Sequence, residues 1–206
     1  MSDSADGTME GLDVTACERC PELCASRSRI VNGVGDEDAA LLFVGEAPGE
    51  QEDREGEPFV GRSGDVLTEA LRDRGLARAD VRITNSVRCR PPNNRDPHVE
   101  ERENCRSYLE REVELVDPEL IVTLGKVPGE HLLGRSLAVT KEAGTVHDAR
   151  IGEHSRRVLV SVHPAATLYD PSQKETFGNA LDEAVALAGL DEGGENSGGQ
   201  SRLGEF

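Results

Sequence analysis

The sequence predicts an α/β fold in which a parallel β-sheet is covered by helices on both faces. Residues 39–44 (AALLFV) form a continuous apolar run ending at a glycine, which is typical of a strand buried on both sides. Similar runs alternate along the chain with segments whose apolar residues recur at helical spacing. With 206 residues the chain can bury a full core, so a single domain is expected.

Taken in order, the elements follow from local patterns. Four apolar segments predict strands: residues 39–44, 81–85, 120–125 and 158–162. Helical spacing predicts four helices: one capped by Ser63 and ending at Gly75, one over residues 99–116, a short one ending at Leu133, and one over residues 175–188. Residues 14–29 are expected to form a short helix or turn. The domain is placed at residues 13–188, with a disordered acidic tail over 1–12 and a disordered Gly- and acid-rich tail over 189–206.

The charge balance is strongly acidic, with a formal net charge of −17 and only three lysines. Such a charge ordinarily disfavours nucleic acid. Acidic residues are nevertheless absent between Asp80 and Asp96, a stretch that contains four arginines. This distribution favours adaptation to molar salt with a basic face kept free of acid, and chance clustering is the alternative. No apolar run is long enough to span a membrane and no secretory signal is recognised, so a soluble, cytoplasmic protein is expected.

Polar residues stand where three of the predicted strands end. Glu46 follows the first strand, Asn85 closes the second, and His163 follows the fourth. In parallel sheets flanked by helices, ligands bind outside the carboxyl ends of the strands. We therefore expect these three side chains to converge on one edge of the sheet.

Four cysteines have the spacing of a single metal site assembled from two distant segments. Cys17 and Cys20 form a Cys-x-x-Cys pair, and Cys89 and Cys105 lie far along the chain. Four thiolates complete either a tetrahedral zinc site or an iron–sulfur cluster, and the sequence leaves both open. Cys24 is a spare cysteine that could replace one of the four ligands.

These motifs together resemble the family 4 uracil-DNA glycosylases, the iron–sulfur branch of the uracil-DNA glycosylase superfamily. The resemblance implies a three-layer α/β/α sandwich around a four-stranded parallel sheet. It implies removal of uracil from single- and double-stranded DNA without strand cleavage. Beyond the cysteines, it rests on residues 45–53 (GEAPGEQED), 57–64 (EPFVGRSG), 84–92 (TNSVRCRPP), 122–125 (VTLG) and 163–171 (HPAATLYDP).

In such an enzyme the base must be flipped out, recognised and released as an anion. Asn85 can accept from uracil N3–H and donate to O4, a pattern that cytosine reverses. Phe59 can stack on the base, and His163 can donate to O2. Glu46 or Glu52 can orient water or stabilise a cationic sugar, and Glu52 can instead exclude thymine. Gly45, Ala47 and Asp53 complete the predicted pocket, although Ala47 stands where several superfamily relatives carry a water-activating Asp or Asn.

The resemblance also implies partners. DNA contacts are expected from the start of the predicted helix at Ser63 and from Arg88, Arg90 and Arg95. Leu168 and Tyr169 are expected to act as wedges in a loop that enters the minor groove. A 4Fe–4S cluster on Cys17, Cys20, Cys89 and Cys105 is expected, with zinc the less favoured metal. A monomer is expected, and docking of a sliding clamp or another repair protein is left open. Two further functions are considered: a noncatalytic iron–sulfur module that binds nucleic acid, and a zinc-stapled enzyme acting on free nucleotides.

Overall fold

The computed structural model describes residues 7–191, in which eight strands form two sheets. Strands β1 and β2 form an antiparallel hairpin, and the other six form one mixed sheet in the order β3-β5-β4-β6-β8-β7. The strands are β1 (Gly7–Glu10), β2 (Asp13–Cys17), β3 (Val34–Gly35), β4 (Leu41–Gly45), β5 (Arg82–Asn85), β6 (Leu120–Leu124), β7 (Val146–Ile151) and β8 (His154–Ser161).

The predicted four-stranded parallel sheet is incomplete. The four predicted strands correspond to β4, β5, β6 and β8, and these are parallel to one another. Antiparallel strands β3 and β7 add an edge on each side, so the sheet has six strands. Neither edge strand has the continuous apolar run that is typical of burial on both faces. Strand β3 has only two residues, and β7 (VHDARI) is partly exposed, with three polar residues among its six.

Seven helices surround this sheet in the described part of the chain. They are α1 (Pro21–Ser26), α2 (Glu50–Glu55), α3 (Arg62–Arg72), α4 (Val99–Val116), α5 (Lys126–Leu133), α6 (Val139–Glu142) and α7 (Ser172–Leu187). The predicted helix over residues 99–116 is confirmed, and α7 begins three residues earlier than predicted. Helix α2 lies between the first predicted strand and the helix predicted from Ser63, where the sequence predicts neither a helix nor a strand. Gly61, rather than Ser63, is the N-cap of α3.

The ends of the chain only partly follow the prediction. Gly7–Glu10 form a strand, so the expected disordered tail over residues 1–12 is wrong at these positions. Residues 1–6 of that predicted tail, and residues 192–206 of the other, lie outside the described residues. None of the described helices is long and apolar enough to cross a membrane.

Two apolar clusters occupy opposite faces of the sheet and account for the three layers. On one face Leu41 and Phe43 of β4 pack in a cluster with residues of α3 and α7, including Leu67 and Phe177. On the other face Leu42 and Val44 pack in a cluster with residues of α4 and α5. Successive strand residues point to opposite faces, so a continuous apolar run is required in β4. This is the physical reason for the AALLFV pattern.

A buried ion triad joins β5 to α4. Glu112 of α4 is fully buried and accepts from Arg82 Nε at 2.8 Å and from Arg88 Nη2 at 2.7 Å. Both arginines are also buried. The acid-free stretch that contains them is therefore only in part a basic surface, because two of its four arginines neutralise a carboxylate inside the protein.

Candidate active site

A cavity of about 200 Å³ opens at the carboxyl edge of the sheet. It is small beside ordinary ligand pockets of roughly 300–1,000 Å³ and matches a single base better than a whole nucleotide. The ends of β4, β5 and β8 meet here, so the expected convergence of Glu46, Asn85 and His163 is observed. The lining residues are Glu46, Ala47, Gly49, Glu52, Phe59, Ser63, Asn85 and His163.

Asn85 is the deepest polar residue of this cavity. It is the last residue of β5, is 4% exposed, and pairs in register with Gly45 of β4. Among residues 7–191 no side-chain hydrogen bond involves its amide, so donor and acceptor are both available to a ligand. Gly45 makes room for it: a Cβ there would lie 2.3 Å from Asn85 Oδ1 and 2.5 Å from the Phe59 ring. Glycine at position 45 therefore lets the amide and the ring share one chamber.

Phe59 is held in an uncommon backbone conformation. Its φ is +55°, in the left-handed region that aromatic residues rarely adopt, at a cost of ~1–3 kcal/mol. Its side chain is buried, and its ring lies 5.8 Å from the His163 ring with an angle of 30° between the planes. A Cβ at Gly64 would lie 1.7 Å from the Phe59 carbonyl oxygen, so the start of α3 packs directly on this turn.

The hydrogen bonding of His163 assigns its tautomer. Its Nδ1 accepts from the Ala165 backbone N–H at 3.1 Å, which leaves the proton on Nε2. Burial lowers the pKa of His163, and the nearby Glu52 opposes that shift. The residue is thus a neutral imidazole with a donor nitrogen available for a ligand.

The two carboxylates at the start of α2 have structural partners. Glu52 accepts from Gly49 N–H at 3.0 Å and from Gly61 N–H at 3.4 Å, so both of its oxygens hold the loop. Asp53 accepts from Ser28 N–H at 2.8 Å and from Arg29 N–H at 3.3 Å. Asp53 is buried against that segment and does not line the cavity, so its predicted place in the substrate pocket is wrong.

Glu46 has the properties of a base tuned to neutral pH. Burial raises the pKa of its carboxyl to about 7, and the neighbouring Asp96 carboxylate adds to the shift. Such a group gains or loses its proton near physiological pH, as a general base requires.

A wider groove of about 580 Å³ adjoins the cavity and shares Glu52 and Ser63 with it. Its wall includes Leu168 and Tyr169, which are 37% and 79% exposed. Large apolar side chains at this level of exposure are few in the described residues, and two of them stand together on this loop.

The three arginines predicted to contact DNA differ in their exposure and in their partners. Arg88 is buried in the ion triad and cannot reach a phosphate, so that prediction is wrong. Arg95 is bound by Glu101 at 2.6 Å and Glu22 at 3.0 Å. Arg90 remains partly exposed, with Asn94 Oδ1 at 2.7 Å and Glu50 at 3.5 Å as its partners.

The cysteines gather in a third cluster, beside α1 and α4. Cys89 and Cys105 are buried there, and Cys17 and Cys20 pack against it. Arg27 Nη1 donates to Cys89 Sγ at 2.8 Å, and Asn104 donates to Cys20 Sγ at 3.5 Å. The thiol of the spare cysteine donates to the Cys17 carbonyl at 3.5 Å. Burial raises the pKa of Cys89 to about 11 and that of Cys105 to about 12.

A family model described as the uracil DNA glycosylase superfamily matches residues 32–185, more than half of the chain and nearly all of the sheet. The chain belongs to this superfamily. A type-4 uracil-DNA glycosylase of Archaeoglobus fulgidus is 40% identical over 190 residues, covering 88% of this chain and 95% of that protein. A type-4 uracil-DNA glycosylase of Thermotoga maritima is 41% identical, covering 78% and 82%.

Two branches of the uracil DNA glycosylase superfamily differ in their similarity to this chain. A type-5 uracil-DNA glycosylase of Thermus thermophilus is 33% identical, covering 86% of this chain and 96% of that protein. The type-4 relatives are closer in sequence, and the resemblance to family 4 is confirmed.

The sequence alone did not indicate a role for Arg78, which contacts the turn around Phe59 (the active-site turn). Arg78 donates to the carbonyl oxygens of Pro58 and Phe59 from a short 3₁₀ turn after α3. No spacing pattern relates it to Phe59, which lies 19 residues earlier. Only the folded chain brings the two together.

Proposed function

We propose that this protein hydrolyses the N-glycosidic bond of uracil in DNA, leaving an abasic site without cutting the strand. The observation that carries the proposal is the small cavity in which the Asn85 amide, the Phe59 ring and the neutral imidazole of His163 face one another. Single- and double-stranded DNA are both proposed as substrates, because a flipped base presents the same atoms in either.

Base recognition is assigned to Asn85. Its amide oxygen accepts from uracil N3–H and its amino group donates to O4. Cytosine offers an acceptor at N3 and a donor at N4, which leaves both parts of the amide unsatisfied. The absence of an internal partner supports this role, since the amide need not break a bond to bind the base. Gly45 and Ala47 supply the close backbone wall.

Stabilisation of the leaving base is assigned to His163 and Phe59. As the glycosidic bond breaks, negative charge grows on uracil O2, where the Nε2–H of His163 donates. A neutral imidazole can donate this hydrogen bond. The bond from Ala165 N–H to Nδ1 already fixes the tautomer in which Nε2 carries the proton. The Phe59 ring stacks on the face of the base, a contact worth ~1–3 kcal/mol.

Water activation is assigned to Glu46, which takes the place of a base at the Ala47 position. Its carboxylate orients the attacking water and accepts its proton. Glu52 is assigned to holding the pocket loop through Gly49 and Gly61, because both of its oxygens are engaged there.

The rate of uracil release should depend on the ionisation of Glu46. Its pKa of about 7 lies above the ordinary value, so the carboxyl is protonated, and inactive as a base, below neutrality. We expect single-turnover rates to rise about tenfold per pH unit up to about pH 7 and to level off above it. Burial lowers the pKa of His163, which favours its neutral form. In Glu46→Gln the rate should fall and its pH dependence should flatten; an unchanged profile would assign the limb to another group.

DNA contact is proposed along the groove beside the cavity. Leu168 and Tyr169 are placed to enter the space left by the flipped base, and Arg90 and the α3 N-terminus at Ser63 are placed near the phosphates. The exposure of both side chains supports this role. They contribute little to the packing of the folded protein and remain available to contact DNA.

The cysteine cluster is proposed to hold an iron–sulfur group on Cys17, Cys20, Cys89 and Cys105. The four cysteines meet in one cluster, and N–H groups from Arg27 and Asn104 are directed at two of the sulfurs. This donor set suits a four-iron cluster, whose thiolates bind separate corners and accept hydrogen bonds from their surroundings. When bound, the cluster serves as a cross-link between segments.

One other group in residues 7–191 has metal-ligand spacing: Glu22, His98 and Glu101. Arg95 is ion-paired with both of its carboxylates. A cation therefore already neutralises this group, and no metal is assigned to it.

Removal of a cluster ligand should abolish the bound iron. Cys17→Ser is expected to lose visible absorbance and most of ~4 iron atoms per chain, and to lower the unfolding temperature. Cys24→Ser is the matched control and should keep its iron, because its thiol is engaged with the Cys17 carbonyl. Iron retained by the first variant and lost by the control would move the ligand assignment to Cys24, and stoichiometric zinc in the wild type would refute the cluster.

The proposed function is tested with a labelled oligonucleotide containing one uracil, single-stranded and paired with guanine, in molar KCl. Abasic product without a nick before alkaline treatment is expected. No product from folded, iron-loaded protein would favour the noncatalytic nucleic-acid-binding module. No feature of the described residues favours that alternative. Salt adaptation, a cytoplasmic location, a monomeric state and clamp docking stay predictions from the sequence.

A further inference from the structure

We propose that Arg78 is a positioning residue for base excision, acting by holding Phe59 in its left-handed backbone conformation against the flipped base. The proposal rests on the proposed function, since it concerns how the same pocket is kept in shape. Arg78 does not line the cavity and would act only through Phe59.

The contacts of Arg78 control the torsions of Phe59 directly. Arg78 Nη2 donates to the Pro58 carbonyl at 2.7 Å, and Nη1 donates to the Phe59 carbonyl at 3.1 Å. These two carbonyls belong to the two peptide planes that meet at the Phe59 Cα. Fixing both planes with one rigid, planar guanidinium therefore fixes φ and ψ of that residue.

The conformation needs such a restraint. A φ of +55° is unfavourable for a phenylalanine and persists only when its surroundings over-determine it. Gly64 packs against the Phe59 carbonyl from the side of α3, and Arg78 binds the same carbonyl through its guanidinium. Without the guanidinium the turn can relax toward negative φ, which would swing the ring away from the base.

The backbone of Arg78 is also held in place. It begins the 3₁₀ turn Arg78–Asp80, in which Asp80 Oδ2 accepts from Ala77 N–H at 2.7 Å. A Cβ at Gly35 would lie 2.8 Å from the Arg78 carbonyl oxygen, so strand β3 packs tightly beneath the turn.

The guanidinium is also not engaged in an ion pair. No carboxylate lies within 4.0 Å of Arg78 among residues 7–191, whereas most arginines with described partners bind Asp or Glu. Its charged donors are directed to two backbone carbonyls and, at 3.4 Å, to the Thr68 hydroxyl. A side chain used in this way holds the backbone in a fixed shape.

Arg74, which lies just after α3, provides the control. It is also half-buried and also donates to two backbone carbonyls, those of Ala70 and Gly178, each at 2.8 Å; unlike Arg78, it is ion-paired as well, with Asp182 at 2.7 Å. It contacts neither Phe59 nor the cavity. Arg74→Ala thus removes a comparable backbone clamp without touching the active-site turn.

The test is a double-mutant cycle on the steady-state kinetics of uracil release, with Arg78→Ala and Arg74→Ala each made in the wild type and in Phe59→Ala. We expect Arg78→Ala to lower kcat by ~10–100-fold with KM changed less than about threefold, because ring misplacement acts after DNA binding. In the Phe59→Ala background the same change should cost less than about threefold. Arg78→Lys, which keeps one donor, should recover part of the rate, and Arg74→Ala should change kcat by less than about threefold in both backgrounds.

Equal losses from Arg78→Ala with and without Phe59 would overturn the proposal, as would losses matching those of Arg74→Ala. If Arg78→Ala does not fold, Arg78→Lys carries the cycle, and an effect of Lys independent of Phe59 overturns it equally. A wild type that folds but releases no uracil refutes the proposed function and this inference with it. An active wild type with an additive cycle refutes this inference alone.

Discussion

Replacing Asn85 by aspartate is expected to slow uracil release by ~10²–10³-fold, the largest loss of activity among the substitutions considered. The substitution preserves shape but turns the donor toward O4 into an anionic acceptor. One hydrogen bond is lost and the carboxylate is desolvated against a carbonyl oxygen, each worth ~1–3 kcal/mol. At 1.36 kcal/mol per factor of ten, a combined loss of ~3–4 kcal/mol, in the middle of the summed range, gives the stated decrease. Single-turnover release from a uracil oligonucleotide measures it.

Asn179→Asp is the control for this substitution. Asn179 is exposed on α7 and does not line the cavity. Its replacement by aspartate changes the net charge of the protein by the same amount. It should leave the rate within about twofold. Normal uracil release by Asn85→Asp would show that the amide does not read the base and would remove the central residue of the proposed pocket.

Replacing Glu112 by glutamine is expected to lower the free energy of unfolding by ~3–5 kcal/mol, the largest loss of stability. The change is nearly isosteric, so it creates no cavity. It leaves Arg82 and Arg88 buried without a compensating charge, within a site where none of the three side chains is more than 5% exposed. Chemical denaturation, with the midpoint and slope both fitted, measures the effect.

Glu114→Gln is the matched control, because Glu114 is exposed and pairs with Arg111 on the same helix at 2.8 Å. An exposed pair contributes ~0–1 kcal/mol, so this variant should be nearly as stable as the wild type. Equal effects of the two substitutions would show that the buried triad contributes no more to the free energy of unfolding than an exposed ion pair. Replacing all three members by apolar residues should recover most of the loss, since no buried charge then remains.

The sequence could predict those parts of the fold that depend on local periodicity. The strands β4 and β6 and the second half of β8 are buried on both faces, so their apolar runs are unambiguous. Helix α4 is bounded by Pro97 before it and by Asp117-Pro118 after it, which explains why its limits were predicted closely. The edge strand β7 carries no such signal, because one of its faces meets solvent.

The site was predictable where it follows from topology, and unpredictable where it depends on long-range partners. Asn85 and His163 converge because parallel strands end at the same edge. Whether an arginine faces solvent or a buried carboxylate is decided by residues distant in sequence, as Glu112 decides it for Arg88. The partners of Asp53 and Arg78 are also distant in sequence. No local pattern could therefore show that Asp53 lies outside the pocket or that Arg78 holds the backbone of Phe59.

The bond from Asp53 to Ser28 and Arg29 joins the active-site helix α2 to the segment that carries the first cysteines. The neighbouring Arg27 binds the Cys17 carbonyl at 2.6 Å as well as Cys89 Sγ. Two adjacent links thus run from α2 to the cysteine cluster. The shape of α2 and the packing of the cysteine cluster are therefore coupled through one short segment of backbone, residues 27–29.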